Sequence, residues 1–112
     1  MKLKAGVNLE NVSWVMFRAA VIAESVYRQY GTELVITSAN DGTHGDKTLH
    51  HKGLALDLRT WTLNGRETMV AQSLRNALGE DYEVILERDH VHIEVSPKWL
   101  AENDEGRVPL SA

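Results

Sequence analysis

Apolar residues recur at steps of three and four between residues 12 and 30, which is the period of an amphipathic helix. The apolar stripe comprises Val12, Val15, Met16, Ala19, Ile22, Ala23, Val26, Tyr27 and Tyr30. Asn8 or Asn11 can cap the start of this helix, and Gly31 stands where a left-handed residue ends it. The pattern therefore predicts one long helix in the first third of the chain.

A second helix is predicted over residues 64–78, because Asn64 and Glu67 have the spacing of a capping pair and apolar residues follow at helical steps. The chain beyond Pro97 is polar with a few apolar anchors. We expect residues 97–112 to form a tail that either wraps the domain or frays.

Four short segments have the patterns of β-strands. Residues 34–37 are a β-branched run typical of a strand buried on both faces, and residues 54–60 and 82–86 are further strands. Residues 90–95 alternate strictly, which places two histidines and a glutamate on one face. Together these elements predict an α+β fold in which a small antiparallel sheet packs against helices.

The composition indicates one ordinary globular domain over residues 1–112, since the chain is 43% hydrophobic and 25% charged. A net charge of −4 offers no electrostatic footprint for nucleic acid or an anionic membrane, so neither is expected as a partner. The basic N-terminus lacks an apolar run of secretory length, and we expect a protein that is soluble and cytoplasmic as synthesised. With no cysteine, any metal must be held by imidazole and carboxylate.

Candidate chemistry is concentrated in two short segments. The first places His50 just before a strand that carries Asp57, and the second places His90 and His92 on one face of another strand. Two imidazoles and a carboxylate around an open position are the ligands of a catalytic zinc site, although iron, nickel or manganese suits the same ligand types. Alternatively, the histidines form a hydrogen-bonded polar face without metal, and Asp57 pairs with an arginine.

The two segments together resemble the motifs of the M15 family of zinc peptidases. They read His-x-x-Gly-x-Ala-x-Asp at residues 50–57 and Asp-x-x-His at residues 89–92. This family comprises D-alanyl-D-alanine carboxypeptidases, dipeptidases and L-alanyl-D-glutamate endopeptidases that cut peptidoglycan peptides, and it includes phage and prophage lysis enzymes. The resemblance covers about residues 30–96 and is greatest to the small carboxypeptidase-type members.

The resemblance implies a role for each motif residue. It implies His50, Asp57 and His92 as zinc ligands, Asp89 as the general base, and His90 as a catalytic-site residue that lines the centre. Bound zinc lowers the pKa of its water toward ~7, and a neighbouring carboxylate can take the water proton and return it to the leaving amine. The chain is thus expected to be a zinc metallopeptidase whose partner is a peptidoglycan stem peptide.

Three residues are expected to bind substrate: Ser38, His44 and Arg59. The family has an arginine shortly after the serine at the position of Ser38, and this chain lacks it. Either His44, His90 or Arg59 replaces that arginine at the oxyanion or the substrate, or the activity is altered. Trp61 follows the strand of Arg59 and is expected to pack in the core, with the floor of a pocket as the alternative.

Some alternatives stay open at this stage. With a shifted register Glu87 would be the base and His90 a ligand, and His51 could replace His50. The motifs are shared by carboxypeptidases and endopeptidases, so they do not name the bond that is cut. The alternative function is a zinc-bearing binding module of the same fold without turnover. We expect a monomer without stable membrane insertion, which acts on the cell wall after release or delivery.

Overall fold

Three helices and one five-stranded sheet make up the described part of the chain. The computed structural model describes residues 1–39 and 49–103, with the backbone alone for residues 50 and 51. In chain order the elements are β1 (Lys2–Leu3), α1 (Trp14–Gln29), β2 (Val35–Ser38), β3 (Ala55–Arg59), α2 (Glu67–Leu78), β4 (Tyr82–Leu86), β5 (His90–Val95) and α3 (Pro97–Glu102). Short 3₁₀-helical turns at Leu49–Lys52 and Trp61–Leu63 precede and follow β3. The predicted α+β fold is confirmed.

The strands lie in the order β1-β2-β3-β5-β4. The pairs β2–β3, β3–β5 and β5–β4 are antiparallel as predicted, whereas β1 pairs parallel with β2 and makes the sheet mixed. The register of β3 and β5 places Asp57 opposite His92 and Arg59 opposite His90. Because directly opposed residues project to the same face of the sheet, these four side chains share one face.

The hydrophobic core lies on the other face of the sheet. Strand alternation buries Leu56 and Leu58 of β3 and Val91, Ile93 and Val95 of β5 in one cluster with α1 and α2. The buried residues of α1 belong to the stripe that its sequence predicts, apart from Ala20. Each fully buried aliphatic side chain contributes about 1.5–3 kcal/mol. This layer therefore fixes the sheet and leaves its opposite face for polar groups.

The N-cap residues of the two long helices differ from the predicted ones. The cap of α1 is Ser13 and neither predicted asparagine, because the amide and the hydroxyl of Ser13 both donate to the carbonyl oxygen of Gly53. The helix α2 begins at Glu67, and Asn64 does not cap it. Asn64 has a left-handed φ of 54° and instead ends the preceding 3₁₀-helical turn.

The predicted tail begins with the short helix α3. The Ser96 hydroxyl accepts the Trp99 amide at 3.0 Å, and Pro97 occupies the first turn, where its missing N–H is not needed. Trp99 and Leu100 pack against the core, so this part of the tail is attached to the domain. None of the helices in the described ranges has both the length and the apolar character needed to span a bilayer.

Candidate metal centre

Two neighbouring strands bring one carboxylate and two imidazoles together. Asp57 lies in the middle of β3, and His90 and His92 lie on the adjacent strand β5. Each residue offers one ligand atom, and these three atoms lie within 4.8 Å of one another. Zinc bonds of about 2.0–2.2 Å place two ligands of one ion at most about 4.4 Å apart, so side-chain adjustments of a few tenths of an ångström bring these atoms around a single ion. Asp57, His90 and His92 could therefore hold a metal ion.

His92 is held between two carboxylates. Its Nδ1 lies 2.8 Å from Oδ1 of Asp57, and its Nε2 lies 2.8 Å from Oε1 of Glu94. Burial lowers the pKa of His92, but the hydrogen bonds to Asp57 and Glu94 outweigh burial and raise that pKa to about 9. The arrangement favours a positive charge at this point, which is either a proton or a metal ion.

Glu94 contacts the candidate metal cluster, and the sequence motifs assign it no role. A carboxylate that accepts the second ring N–H of a metal-bound histidine fixes the orientation of the ring and raises its basicity. Glu94 contacts Nε2 of His92 and is suited to that role. The strict alternation of residues 90–95 already places Glu94 on the histidine face, so a signal for it was present.

His90 contacts three carboxylates. Its Nδ1 lies 2.7 Å from Oδ1 of Asp89, and its Nε2 lies 3.5 Å from Oε1 of Glu87 and 3.6 Å from Oδ1 of Asp57. The hydrogen bond to His90 stabilises the ionised carboxylate of Asp89 and lowers the pKa of Asp89, which is otherwise exposed. Both carboxylates that the sequence offers as a base, Glu87 and Asp89, thus lie beside this imidazole.

The structure brings two of the three predicted ligands, Asp57 and His92, together. The backbone of His50 lies in the 3₁₀-helical turn that leads into β3, but its side chain and that of His51 lie outside the described atoms. The role of His50, and the choice between it and His51, therefore stays a prediction. His90, which was predicted to line the centre, is grouped with Asp57 and His92 as a third possible ligand.

An open cleft of about 270 Å³ lies beside these groups. Two of the predicted substrate residues line it, namely Ser38 and Arg59, and so does the predicted base Asp89. Ser38 is opposite Asp57 in the pairing of β2 with β3, and it is buried. The third predicted substrate residue, His44, lies outside the described residues.

Trp61 lines the same cleft, and the prediction that it packs in the core is wrong. Its side chain is 68% exposed, and the guanidinium carbon of Arg59 lies 4.6 Å from the centre of its ring. Lys4 also lines the cleft, because the chain after β1 runs beside β2, where the Lys4 amide donates to the Ile36 carbonyl oxygen at 2.9 Å. A single lysine near the start of a chain carries no sequence signal for such a position.

Comparison with known proteins leaves the chain without an assigned family. No protein-family model and no curated protein matches the sequence. The case for a function therefore rests on the chemistry of the two motifs and on the geometry of the residues that they bring together.

Proposed function

We propose that the chain is a zinc-dependent peptidase that cleaves peptidoglycan stem peptides, the activity that its two motifs imply by resemblance. The observation that carries the proposal is the cluster of Asp57, His90 and His92 beside an open cleft. Catalytic zinc sites use three imidazole or carboxylate ligands and keep one position for water or substrate. The donor set in this chain fits that description.

Two ligand sets are compatible with the cluster, and both contain Asp57 and His92. In the first, which the resemblance implies, His50 is the third ligand and His90 lines the cleft. In the second, His90 is the third ligand and Glu87 is the adjacent carboxylate, 3.5 Å away. A comparison of zinc affinity between His50→Gln and His90→Gln decides between the two sets.

The protein's own residues supply the proton transfers and the positioning. When bound, zinc supplies a water of pKa near ~7 and polarises the scissile carbonyl. Asp89 accepts a proton from the attacking water and returns it to the leaving amine. Asp89 is an exposed carboxylate and is ionised at neutral pH, and the 2.7 Å contact with His90 fixes its position. Arg59 provides a positive charge in the cleft for the developing oxyanion or the substrate.

Mass spectrometry of digested stem peptides tests the proposal. Untagged, zinc-loaded protein should release a fragment from the peptide, and Asp89→Asn should retain zinc while losing roughly 100-fold or more of the rate. Glu80→Gln is the matched control, since Glu80 is an exposed acid in the turn between α2 and β4, and it should keep full activity. Cleavage at the normal rate by Asp89→Asn would show that another group is the base.

A zinc-bearing binding module is the second candidate function. It is favoured by the residues that follow Ser38, which are Ala39, Asn40 and Asp41 where the family has an arginine. Zinc-loaded protein that binds stem peptides without cutting them would support this candidate. Protein that carries no zinc after purification, and cannot be loaded with it, would exclude both functions and favour a metal-free interaction domain.

A further inference from the structure

The carboxylates in the cleft beside the metal cluster contact histidines. The two cations in this cleft form no ion pair with any described residue. Asp57 contacts His92 at 2.8 Å, and Asp89 contacts His90 at 2.7 Å. Neither Lys4 nor Arg59, which line the same cleft, forms an ion pair with any residue in the ranges 1–39 and 49–103. Among the described residues, an anion that enters the cleft would therefore meet two positive charges that have no ion-pair partner there.

Arg59 is held in one place by its surroundings. Its guanidinium lies over the ring of Trp61, an arrangement that attracts a cation to an aromatic face. Its main-chain carbonyl accepts the Tyr27 hydroxyl at 2.7 Å, which fixes the end of β3. The Nε of Arg59 is buried and has no hydrogen-bond partner in the described part of the chain. An anchored guanidinium at the wall of the cleft is suited to bind a carboxylate through its terminal N–H groups.

We propose that Lys4 and Arg59 bind the free C-terminal carboxylate of the peptide substrate, and that Trp61 is a positioning residue for Arg59. These three residues are called the carboxylate subsite below. The inference rests on the proposed peptidase function and narrows its substrates to peptides that are cut next to a free carboxyl end. The planar fork of arginine binds carboxylates through two parallel hydrogen bonds, and lysine adds a second, more flexible charge.

The order of groups along β3 suits cleavage near that end. Asp57 and Arg59 are two positions apart on the strand, so both side chains lie on the same face of the sheet. Both residues line the cleft. A peptide whose terminal carboxylate is held by Arg59, and which runs from there toward Asp57, has a bond close to its carboxyl end beside the cluster.

A binding experiment that needs no turnover tests the carboxylate subsite. Zinc-loaded Asp89→Asn protein is titrated by calorimetry with N-acetyl-D-alanyl-D-alanine and with its C-terminal amide. The free acid should bind about 10- to 100-fold more tightly than the amide, because only the acid forms charge-assisted hydrogen bonds. Arg59→Gln or Lys4→Gln in the same background should remove most of this preference. Lys98→Gln, which removes a lysine from α3, should leave it unchanged.

Substitution of Trp61 separates positioning from a general structural effect. Trp61→Ala should reduce the preference for the acid, since Arg59 loses the ring that holds it. Trp61→Phe should restore most of the preference, because an aromatic face remains. A preference that is equally low in both variants would show that Trp61 does not act through its ring and would overturn its positioning role.

The outcomes distinguish failure of the subsite from failure of the peptidase function. Equal binding of acid and amide, no binding of either peptide, or an unchanged preference in Arg59→Gln would overturn the subsite. The Arg59 and Lys4 variants could lose the preference for the acid while the protein with Asp89 intact cuts neither peptide. That result would support the subsite and count against the peptidase function. If the protein removed the last residue from the acid and from the amide at equal rates, the result would support the peptidase function and overturn the subsite.

Discussion

Asp57 and Glu94 contact the two nitrogens of one imidazole, and their substitution should weaken metal binding to different degrees. Asp57 is a ligand in both possible sets, whereas Glu94 acts only by orienting His92. Loss of an orienting residue typically costs roughly 10- to 100-fold in metal affinity. We expect Glu94→Gln to fall in that range and Asp57→Asn to exceed it.

Competition with a chromophoric zinc chelator measures these affinities, and Glu80→Gln serves as the control for loss of one negative charge. An affinity of Asp57→Asn equal to that of the control would show that the metal binds elsewhere. A larger effect of Glu94→Gln than of Asp57→Asn would make Glu94 the ligand.

His92 connects metal binding with pH. Burial lowers its pKa, but the bonds to Asp57 and Glu94 raise the pKa to about 9, so zinc must displace a proton at neutral pH. Zinc affinity should rise by up to about tenfold per pH unit below that value and then level off. Chelator competition at several pH values checks this, and an affinity that does not change between pH 6.5 and 9 would contradict it.

The same pKa has the opposite consequence for the metal-free fold. The pKa of His92 in the folded protein lies above its ordinary value of 6.5. Its contribution to stability is therefore fully present below pH 6.5 and is lost as the pH rises through about 9. Mildly alkaline conditions thus raise zinc affinity and lower the stability of the metal-free fold, and both effects favour the metal-bound protein.

Asp57 and His92 could be selected from the sequence, whereas Lys4 could not and Trp61 was a pocket residue only as the alternative to core packing. An aspartate within a strongly apolar strand and histidines at alternate strand positions are local patterns that a reader can detect. The positions of Lys4 and Trp61 depend instead on the pairing of β1 with β2 and on the turn after β3. Such long-range pairing leaves no period in the sequence near either residue.

At the scale of elements, Gly53 joins the start of α1 to the turn that carries His50. Gly53 has a φ of +73°, its carbonyl oxygen accepts two hydrogen bonds from Ser13, and a Cβ at this position would overlap the carbonyl oxygen of Asn11. Gly65 has a similar φ of +85° but has open space around it. A side chain at Gly65 would cause backbone strain alone, whereas a side chain at Gly53 would cause both backbone strain and a steric clash.

Alanine at each glycine should lower stability by different amounts. Gly65→Ala should lower the free energy of unfolding by about 1–2 kcal/mol through its left-handed backbone. Gly53→Ala should lower it by about 1–3 kcal/mol more, because the segment around Asn11 must move to remove the overlap. Urea denaturation of both variants measures the difference. Equal losses would mean that this segment can move aside without cost.

The main helices and strands follow from periodicity, and the errors concern residues that tertiary contacts control. The pattern over residues 12–30 gives α1 to within two residues, and the alternation over residues 90–95 gives β5 without error. The cap of α1 could not be chosen among several polar residues, because Ser13 is selected by its bonds to distant Gly53. The two-residue strand β1 is too short to have a period at all.

At the scale of the whole molecule, the two faces of the sheet have separate tasks. One face, packed on α1 and α2, supplies hydrophobic stability, and the other gathers carboxylates around two imidazoles. The carboxylates are Asp57, Glu87, Asp89 and Glu94, in a chain whose net charge is already −4. Bound zinc would bring a charge of +2 into this group in exchange for the proton of His92, and would so reduce repulsion between the carboxylates.

Zinc should therefore raise the thermal stability of the whole domain. A ligand that binds only the folded state at 100 times its Kd stabilises that state by about 2.7 kcal/mol. In a domain of roughly 100 residues, each kcal/mol shifts Tm by about 4–8 °C. We expect differential scanning calorimetry to show a rise of about 10–20 °C with zinc. A chelator should reverse this rise, and magnesium, which prefers oxygen ligands, should produce little of it. The Asp57→Asn variant should show no rise in Tm with zinc. If its Tm rose as much as that of the unsubstituted protein, the stabilising ion would lie outside the cluster of Asp57, His90 and His92.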